Sequence, residues 1–182
     1  MTTAAGPTVT TWTLDPSHTT IEFSAKHMMF TTVKGRFAEL DGTVTVAGAT
    51  PDTASVEATM KAASIDTRTE QRDQHLRSAD FLDVAQFPDV SFRSTKIEGP
   101  KEQFTMTGDL TIRGITRPVT LDVTYEGAGK DPWGGNRMGF SASGKIDRRE
   151  FGLVWNQALE TGGILVGNDV KIHIDAQVIR KD

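Results

Sequence analysis

From Phe104 to Arg113 the chain reads Phe-Thr-Met-Thr-Gly-Asp-Leu-Thr-Ile-Arg, alternating apolar and polar residues without a slip. A period of two puts successive side chains on opposite faces of a strand and cannot gather them on one stripe of a helix. Here Phe104, Met106, Gly108, Leu110 and Ile112 share one face. The same pattern returns in Ile21, Phe23, Ala25 and His27, in Val56, Ala58 and Met60, and in Val90 and Phe92. It returns again in Val119, Leu121, Val123 and Tyr125, in Met138, Phe140, Ala142 and Gly144, and from Val170 to Val178. Between Val33 and Val46 the parity switches: Val33, Gly35 and Phe37 lie on one face, and Leu40, Gly42, Val44 and Val46 on the other. A β-bulge near Ala38-Glu39 would reconcile the halves and bend the strand.

These segments amount to eight substantial strands, each with one apolar and one polar face. Such strands are antiparallel and half-solvated, because parallel strands would be apolar throughout and need helical crossovers. With almost no helix to cover them, the apolar faces must cover one another in a sandwich or a closed barrel. Several strands run to about ten residues, longer than the usual five or six, which favours the barrel. The expected fold is therefore an all-β, eight-stranded antiparallel barrel formed by one domain over residues 1–182. A polar arm over 1–11 precedes Trp12, and Trp12 to Pro16 reads as a short β segment ending in a turn. Gly127 to Asn136 reads as a long glycine-rich hairpin loop, and Gly114 to Pro118 as a connection.

The alternation stops once, from Ser64 to Phe87. Thr67 and Glu70 stand in capping-box spacing, good helix formers follow to Leu82, and Pro88 prevents continuation, so a short helical insert is expected at about 67–83. At 100° per residue Arg68, Arg72, His75, Leu76 and Ala79 share a face with Leu82 at its margin, while Glu70, Asp73, Gln74 and Arg77 lie opposite. One helix in a β protein lies against a sheet or covers the end of a barrel. A face mixing apolar groups with two arginines and a histidine suits a mouth that meets a polar group. It equally suits a surface helix packing through Leu76 and Ala79 with its arginines solvated.

Composition removes several functions. The chain of 182 residues has no cysteine, so thiol chemistry, zinc-thiolate sites and disulfides are excluded. A formal net charge of −4, with scattered lysines and arginines, argues against a nucleic-acid surface. The start, MTTAAGPTVTT, has neither a basic nor an apolar leader region, and no run has the length of a membrane-spanning helix, so a cytoplasmic chain is expected.

Eight strands is also the count at which a barrel can hold one small ligand. Ala25, Gly35, Ala58, Gly108, Ala142, Gly144 and Ala176 are small and share inward faces with aromatic residues and methionine. Either small and large residues alternate to fill a tapered interior, or they line unfilled apolar space. Ten-residue strands tilted by about 40° would enclose a channel on the order of 25 Å long, better matched to a chain than to a compact ring. The expected channel wall is Ile21, Phe23, Ala25, Phe37, Val56, Ala58, Met60, Phe92, Phe104, Met106, Leu110, Val123, Phe140 and Ala142. His27, Arg68, Arg72 and His75 are the head-group candidates.

Five segments, WTLDPSHTTIEFSAKHMMFTTVKGRF, SIDTRTEQRDQHLRSADFLD, FPDVSFRST, GDLTIRGITRPVTLDV and MGFSASGKIDRREFGLVW, together resemble the YceI-like family from about Trp12 to Val178. That resemblance implies a lipocalin-like barrel binding a polyisoprenoid lipid, such as an isoprenoid quinone or polyprenyl chain, in its interior. It implies a tendency to dimerise and a binding role without catalytic residues, and many members are exported through a signal peptide.

Other chemistry is thinly represented. The chain has no Gly-x-Ser-x-Gly, no phosphate loop and no dinucleotide fingerprint. His18 and His27 stand at opposite ends of one strand, roughly 30 Å apart if extended, and His173 lies on an outer face, so no metal or other cofactor is expected. Asp15 and His18 read as fixing a turn. Asp147 to Glu150 reads as a solvated charge run in which Arg148 alone could have a structural partner. Two functions follow from this. The first is non-catalytic carriage or sequestration of a long apolar lipid. The second is an enzyme or metal-dependent sensor acting on a small apolar substrate, for which Ser94 and His27 offer few interior polar groups.

Overall fold

The structure is a computed structural model and describes residues 6–181. Its strands are β1 (Thr10–Leu14), β2 (Thr20–His27), β3 (Thr31–Phe37), β4 (Leu40–Val46), β5 (Ala54–Lys61) and β6 (Ile65–Asp66). After the helix α1 (Glu70–Arg77) come β7 (Asp89–Glu98), β8 (Gln103–Ile112), β9 (Ile115–Lys130), β10 (Asn136–Asp147) and β11 (Val166–Lys181). Among the described residues no helix is long and apolar enough to cross a membrane.

These segments make eight staves of one closed, antiparallel, lipocalin-like barrel, because three staves are interrupted, as β1/β2, β3/β4 and β5/β6. β1 and β2 run one after the other along β11, with Leu14 opposite Val178 and Thr20 opposite Asp175. A 3₁₀ turn over Pro16–His18 separates them, and its Asp15 cap accepts from the Ser17 amide. β3 and β4 form the next stave. β3 pairs with β2 and β6, whereas β4 pairs with β1 and β5. The parity switch expected as a bulge at Ala38-Glu39 is therefore a break between two ladders. Ser64 occupies the gap, its carbonyl accepting from the Ala38 amide at 3.1 Å and its hydroxyl from the Glu39 amide at 3.0 Å. The remaining staves follow in sequence as β5, β7, β8, β9, β10 and β11, and the β1–β11 pairing closes the ring.

Two turns and the N-terminal arm differ from expectation. β9 and β10 pair as far as Lys130 opposite Asn136, so the long hairpin loop shrinks to residues 131–135. Ile112 stands opposite Ile115, leaving a two-residue turn at Arg113-Gly114. Both turn residues have positive φ, 50° and 70°, the twist that matches a two-residue hairpin to its strands. The polar arm is shorter than 1–11, since Thr10 and Thr11 already pair with Val46 and Thr45; its residues 1–5 lie outside those described.

All staves alternate direction, so their connections gather at two ends. The short connections 47–53, 99–102 and 131–135 lie at one end. At the other lie the β2–β3 turn, the insert between β5 and β7, the Arg113-Gly114 turn and residues 148–165.

Candidate functional site

The apolar faces of the staves enclose a cavity of about 570 Å³ whose wall is almost wholly hydrocarbon. All fourteen side chains of the expected channel wall border it. Val166 and Val178, both on β11, also border it, so it extends roughly 30 Å along the barrel axis at the usual rise and tilt. A space of that volume drawn out over that length is long and narrow.

The small inward residues divide into two groups. At Gly35 and Gly108 an added Cβ would collide with the rings of Phe23 and Phe92, and at Gly144 it would come within 2.6 Å of Leu121 Cδ2. These glycines are already covered, and they let large neighbours lie flat against the sheet. Ala25, Ala58, Ala142 and Ala176 border the cavity itself. The space is therefore fronted by alanines, while the glycines serve packing.

One end of the cavity is closed. Phe81, Leu82, Phe151 and Leu153 are buried there, and Leu76 of α1 packs beside them. His75 lies edge-on to Trp155 at 4.6 Å between centroids and to Phe81 at 5.0 Å, which ties the insert to residues 148–165. Arg113 reaches in from the β8–β9 turn and donates to the Phe81 carbonyl at 2.9 Å. At the opposite end the border is formed by Thr10, residues 48–51, Lys101 and Tyr125, where the connections are short and solvent-exposed. The insert is thus the floor of the barrel and not its mouth.

This changes the expected roles of the polar residues. α1 starts at Glu70 with Thr69 as its cap, so the Thr67/Glu70 capping box does not form. Instead the buried Asp73 carboxylate accepts from the Thr67 amide at 2.9 Å and from its hydroxyl at 2.5 Å. Asp73 therefore faces inward, opposite to its expected face, because it replaces the missing cap for the chain before the helix. Arg72 Nε donates to Thr67 Oγ1 at 2.7 Å and Nη2 to the Thr67 carbonyl at 2.8 Å, which fixes the same loop. Arg68 precedes the helix with a φ of 63° and is exposed, as is Ala79, which follows the helix end at Arg77. Burial passes instead to Phe81 and Leu82, held by bonds from the Leu82 amide to the Leu76 carbonyl and the Asp83 amide to the Ser78 carbonyl. His75 Nε2 lies 2.8 Å from Asp80. None of His27, Arg68, Arg72 and His75 borders the cavity. Ser94 sits at a bulge in β7, where its hydroxyl accepts from the Val56 amide at 2.8 Å.

In the charge run at 147–150, Arg149 and Glu150 are exposed and Arg148 has the structural partners its reading allowed. Arg149 is exposed and holds Asp147, whose carboxyl is lowered to about 2, chiefly by that hydrogen bond. Arg148 is only 3 % exposed and borders the cavity from the closed end. Its partners are carbonyls: Gly167 at 2.9 Å from Nε, Leu153 at 2.5 Å and Trp155 at 3.0 Å from Nη1, and Val166 at 3.2 Å from Nη2. Burial pushes its pKa down, and the nearby Asp147 charge offsets part of that. The 3₁₀ turn over Arg148–Phe151 turns Arg148 inward and Arg149 out.

At the open end, Asp15 receives Arg137 Nη1 at 2.7 Å, while Arg137 Nε reaches Asp131 at 2.6 Å. His18 Nδ1 lies 2.8 Å from Asp15, so this pair fixes the turn as its spacing predicts. Asp131 Oδ1 also accepts the Trp133 and Gly135 amides and thereby shapes the β9–β10 turn. Lys101 Nζ lies 4.9 Å from the centre of the Tyr125 ring.

Residues 12–178 match the YceI-like domain. The chain belongs to the YceI-like family. Protein YceI of Salmonella newport (strain SL254) is 41% identical over 136 residues, covering 75% of this chain and 71% of that protein. The crystal structure of the Campylobacter jejuni YCEI protein is 30% identical, with a TM-score of 0.74 over 86% of this chain and 90% of that one. A polyisoprenoid binding domain from Saccharophagus degradans shares the fold, with a TM-score of 0.67 at 12% identity over 93% of this chain and 98% of that one. The YceI-like barrel thus persists where sequence identity has fallen too low to carry a site.

Proposed function

We propose that this protein binds one linear isoprenoid lipid, an isoprenoid quinone or polyprenyl chain, inside the barrel and carries or sequesters it without chemical change. The long, narrow, apolar cavity is the observation that carries this reading. Each five-carbon unit enclosed contributes roughly 4 kcal/mol gross, at about 0.8 per methylene, before the costs of ordering and association. The polyisoprenoid-binding description of the Saccharophagus degradans domain, on the same fold, is consistent with it. Among the polar residues that border the cavity, Arg148 donates to carbonyls, Thr19 to the Gln177 carbonyl, and Lys101 lies against Tyr125.

Ala58→Trp and Ala142→Trp test the proposal. If a lipid tail owns the space, the indole replaces it: the delipidated variants keep a near-wild-type thermal midpoint and lose binding of an isoprenoid quinone. If the interior is packed solid, each change overpacks it at a cost of about 1–3 kcal/mol. Marked destabilisation at both positions, with no lipid in an organic extract of the wild type, rejects the proposal.

A further inference from the structure

The closed end of the cavity holds a buried charge with no direct ion-pair partner among the described residues, the nearby Asp147 being paired with Arg149. A guanidinium carries five N–H donors. Arg148 directs four of them at the carbonyls of Gly167, Leu153, Trp155 and Val166. The second Nη2 hydrogen has no acceptor among the described residues, and no carboxylate lies within ion-pair distance. A buried cation without a direct ion-pair partner is costly, and an unpaired N–H adds to that cost. The other long cationic side chains of the floor are engaged outside the cavity: Arg72 with Thr67, Arg77 with the Ala63 and Ile65 carbonyls, and Arg113 with Phe81. Arg148 alone of these borders the space.

We propose that Arg148 binds an oxygen acceptor at one end of the ligand, so that the lipid enters head first with its tail toward Lys101 and Tyr125. The inference rests on the lipid-binding reading and deepens it by assigning an orientation and a ligand class. The class is a chain ending in one compact acceptor, a carboxylate, carbonyl or hydroxyl oxygen. An anionic oxygen fits best, because it supplies the missing acceptor and a direct ion pair together. A diphosphate is disfavoured, since the floor offers it one N–H and otherwise hydrocarbon from Phe81, Leu82 and Leu153.

Arg148→Met would strip the donors from four carbonyls and endanger the floor, so the test uses the intact chain with two probes. Geranylgeranoic acid and the hydrocarbon of the same chain without its carboxyl group are each titrated from cyclodextrin into delipidated protein carrying ¹⁵N-arginine. The acid is expected to bind roughly ten- to a hundredfold tighter, the range of a charge-assisted hydrogen bond. The Arg148 Nη2 resonances should shift with the acid and stay in place with the hydrocarbon. Equal affinities with an unmoved Arg148 overturn the orientation and leave lipid binding standing. Tighter acid binding that Lys101→Ala abolishes, again with Arg148 unmoved, places the head at the open end and also overturns it. Failure of both probes to bind rejects the lipid-binding reading itself.

Discussion

At the closed end of the barrel two long irregular segments, 62–88 and 148–165, fold over the cavity; at the open end every connection is a short turn. The closed end buries Phe81, Leu82, Phe151 and Leu153. It holds its bent backbone with internal polar groups, Asp73 for the amide of Thr67 and Arg148 for four carbonyls. At the open end, where Val178 is buried, the most connected polar feature is Arg137 bridging Asp15 and Asp131. A loop crossing a barrel end must satisfy its own backbone where water is excluded. A four- to seven-residue hairpin at a wet rim does not face that demand. The same barrel therefore presents a rigid, apolar, internally bonded floor and a polar rim that water and ligands can reach.

The largest expected difference between the ends follows from Phe151→Ala. Phe151 is fully buried at 0% exposure, and truncating such a residue costs about 3–5 kcal/mol. Urea unfolding should show that loss, and a much smaller one would mean the floor is loosely packed. Next, Asp73→Ala removes both acceptor contacts to Thr67 and strands a buried amide, for about 1–3 kcal/mol. Hydrogen exchange should quicken at Thr67 and through α1 while β8 and β9 stay protected. Uniform loss of protection would show that floor and wall unfold as one unit.

Acid should act on the open end through its carboxylates. The Ser17 hydroxyl, then His18 and Arg137, hold the Asp15 carboxyl well below the usual range, and Arg137 foremost lowers Asp131. A depressed folded-state pKa gives stability that is fully present above the ordinary value, about 4, and is lost as the pH falls through the depressed one. Thermal midpoints should therefore decline below about pH 4, and Asp15→Asn should flatten part of that decline. The portion left in the variant belongs to Asp131 and, at the closed end, to Asp66 and Asp147. An unchanged acid profile in Asp15→Asn would remove the open-end cluster from the comparison. The smallest effect is expected from Lys101→Ala, within about 1 kcal/mol by chemical denaturation, because its contact with Tyr125 is exposed.

Much of the wall was legible in the sequence. Strict alternation from Phe104 to Ile112 or from Val170 to Val178 admits one set of inward side chains, since slipping a strand by one residue would turn every apolar group to water. The presence of an insert was legible too, because alternation fails between Ser64 and Phe87 and Pro88 ends any helix. Its length and facing were not. The Thr67–Glu70 spacing satisfies a capping box locally, but Asp73 reaches Thr67 across the turn and takes that role.

The sequence by itself determined the strand pattern, the apolar inner face and the exclusion of thiol chemistry, because period-two alternation and composition are local properties of the chain. Tertiary structure alone decided which end is closed, which small residues front the cavity, and which of two adjacent arginines is buried. Gly35 and Ala25 are equivalent in pattern, yet a ring from Phe23 on the neighbouring strand covers the glycine while the alanine faces open space. Arg148 and Arg149 are equivalent in chemistry, and only the carbonyls of residues 153–167, brought together by the fold, give the first a reason to turn inward.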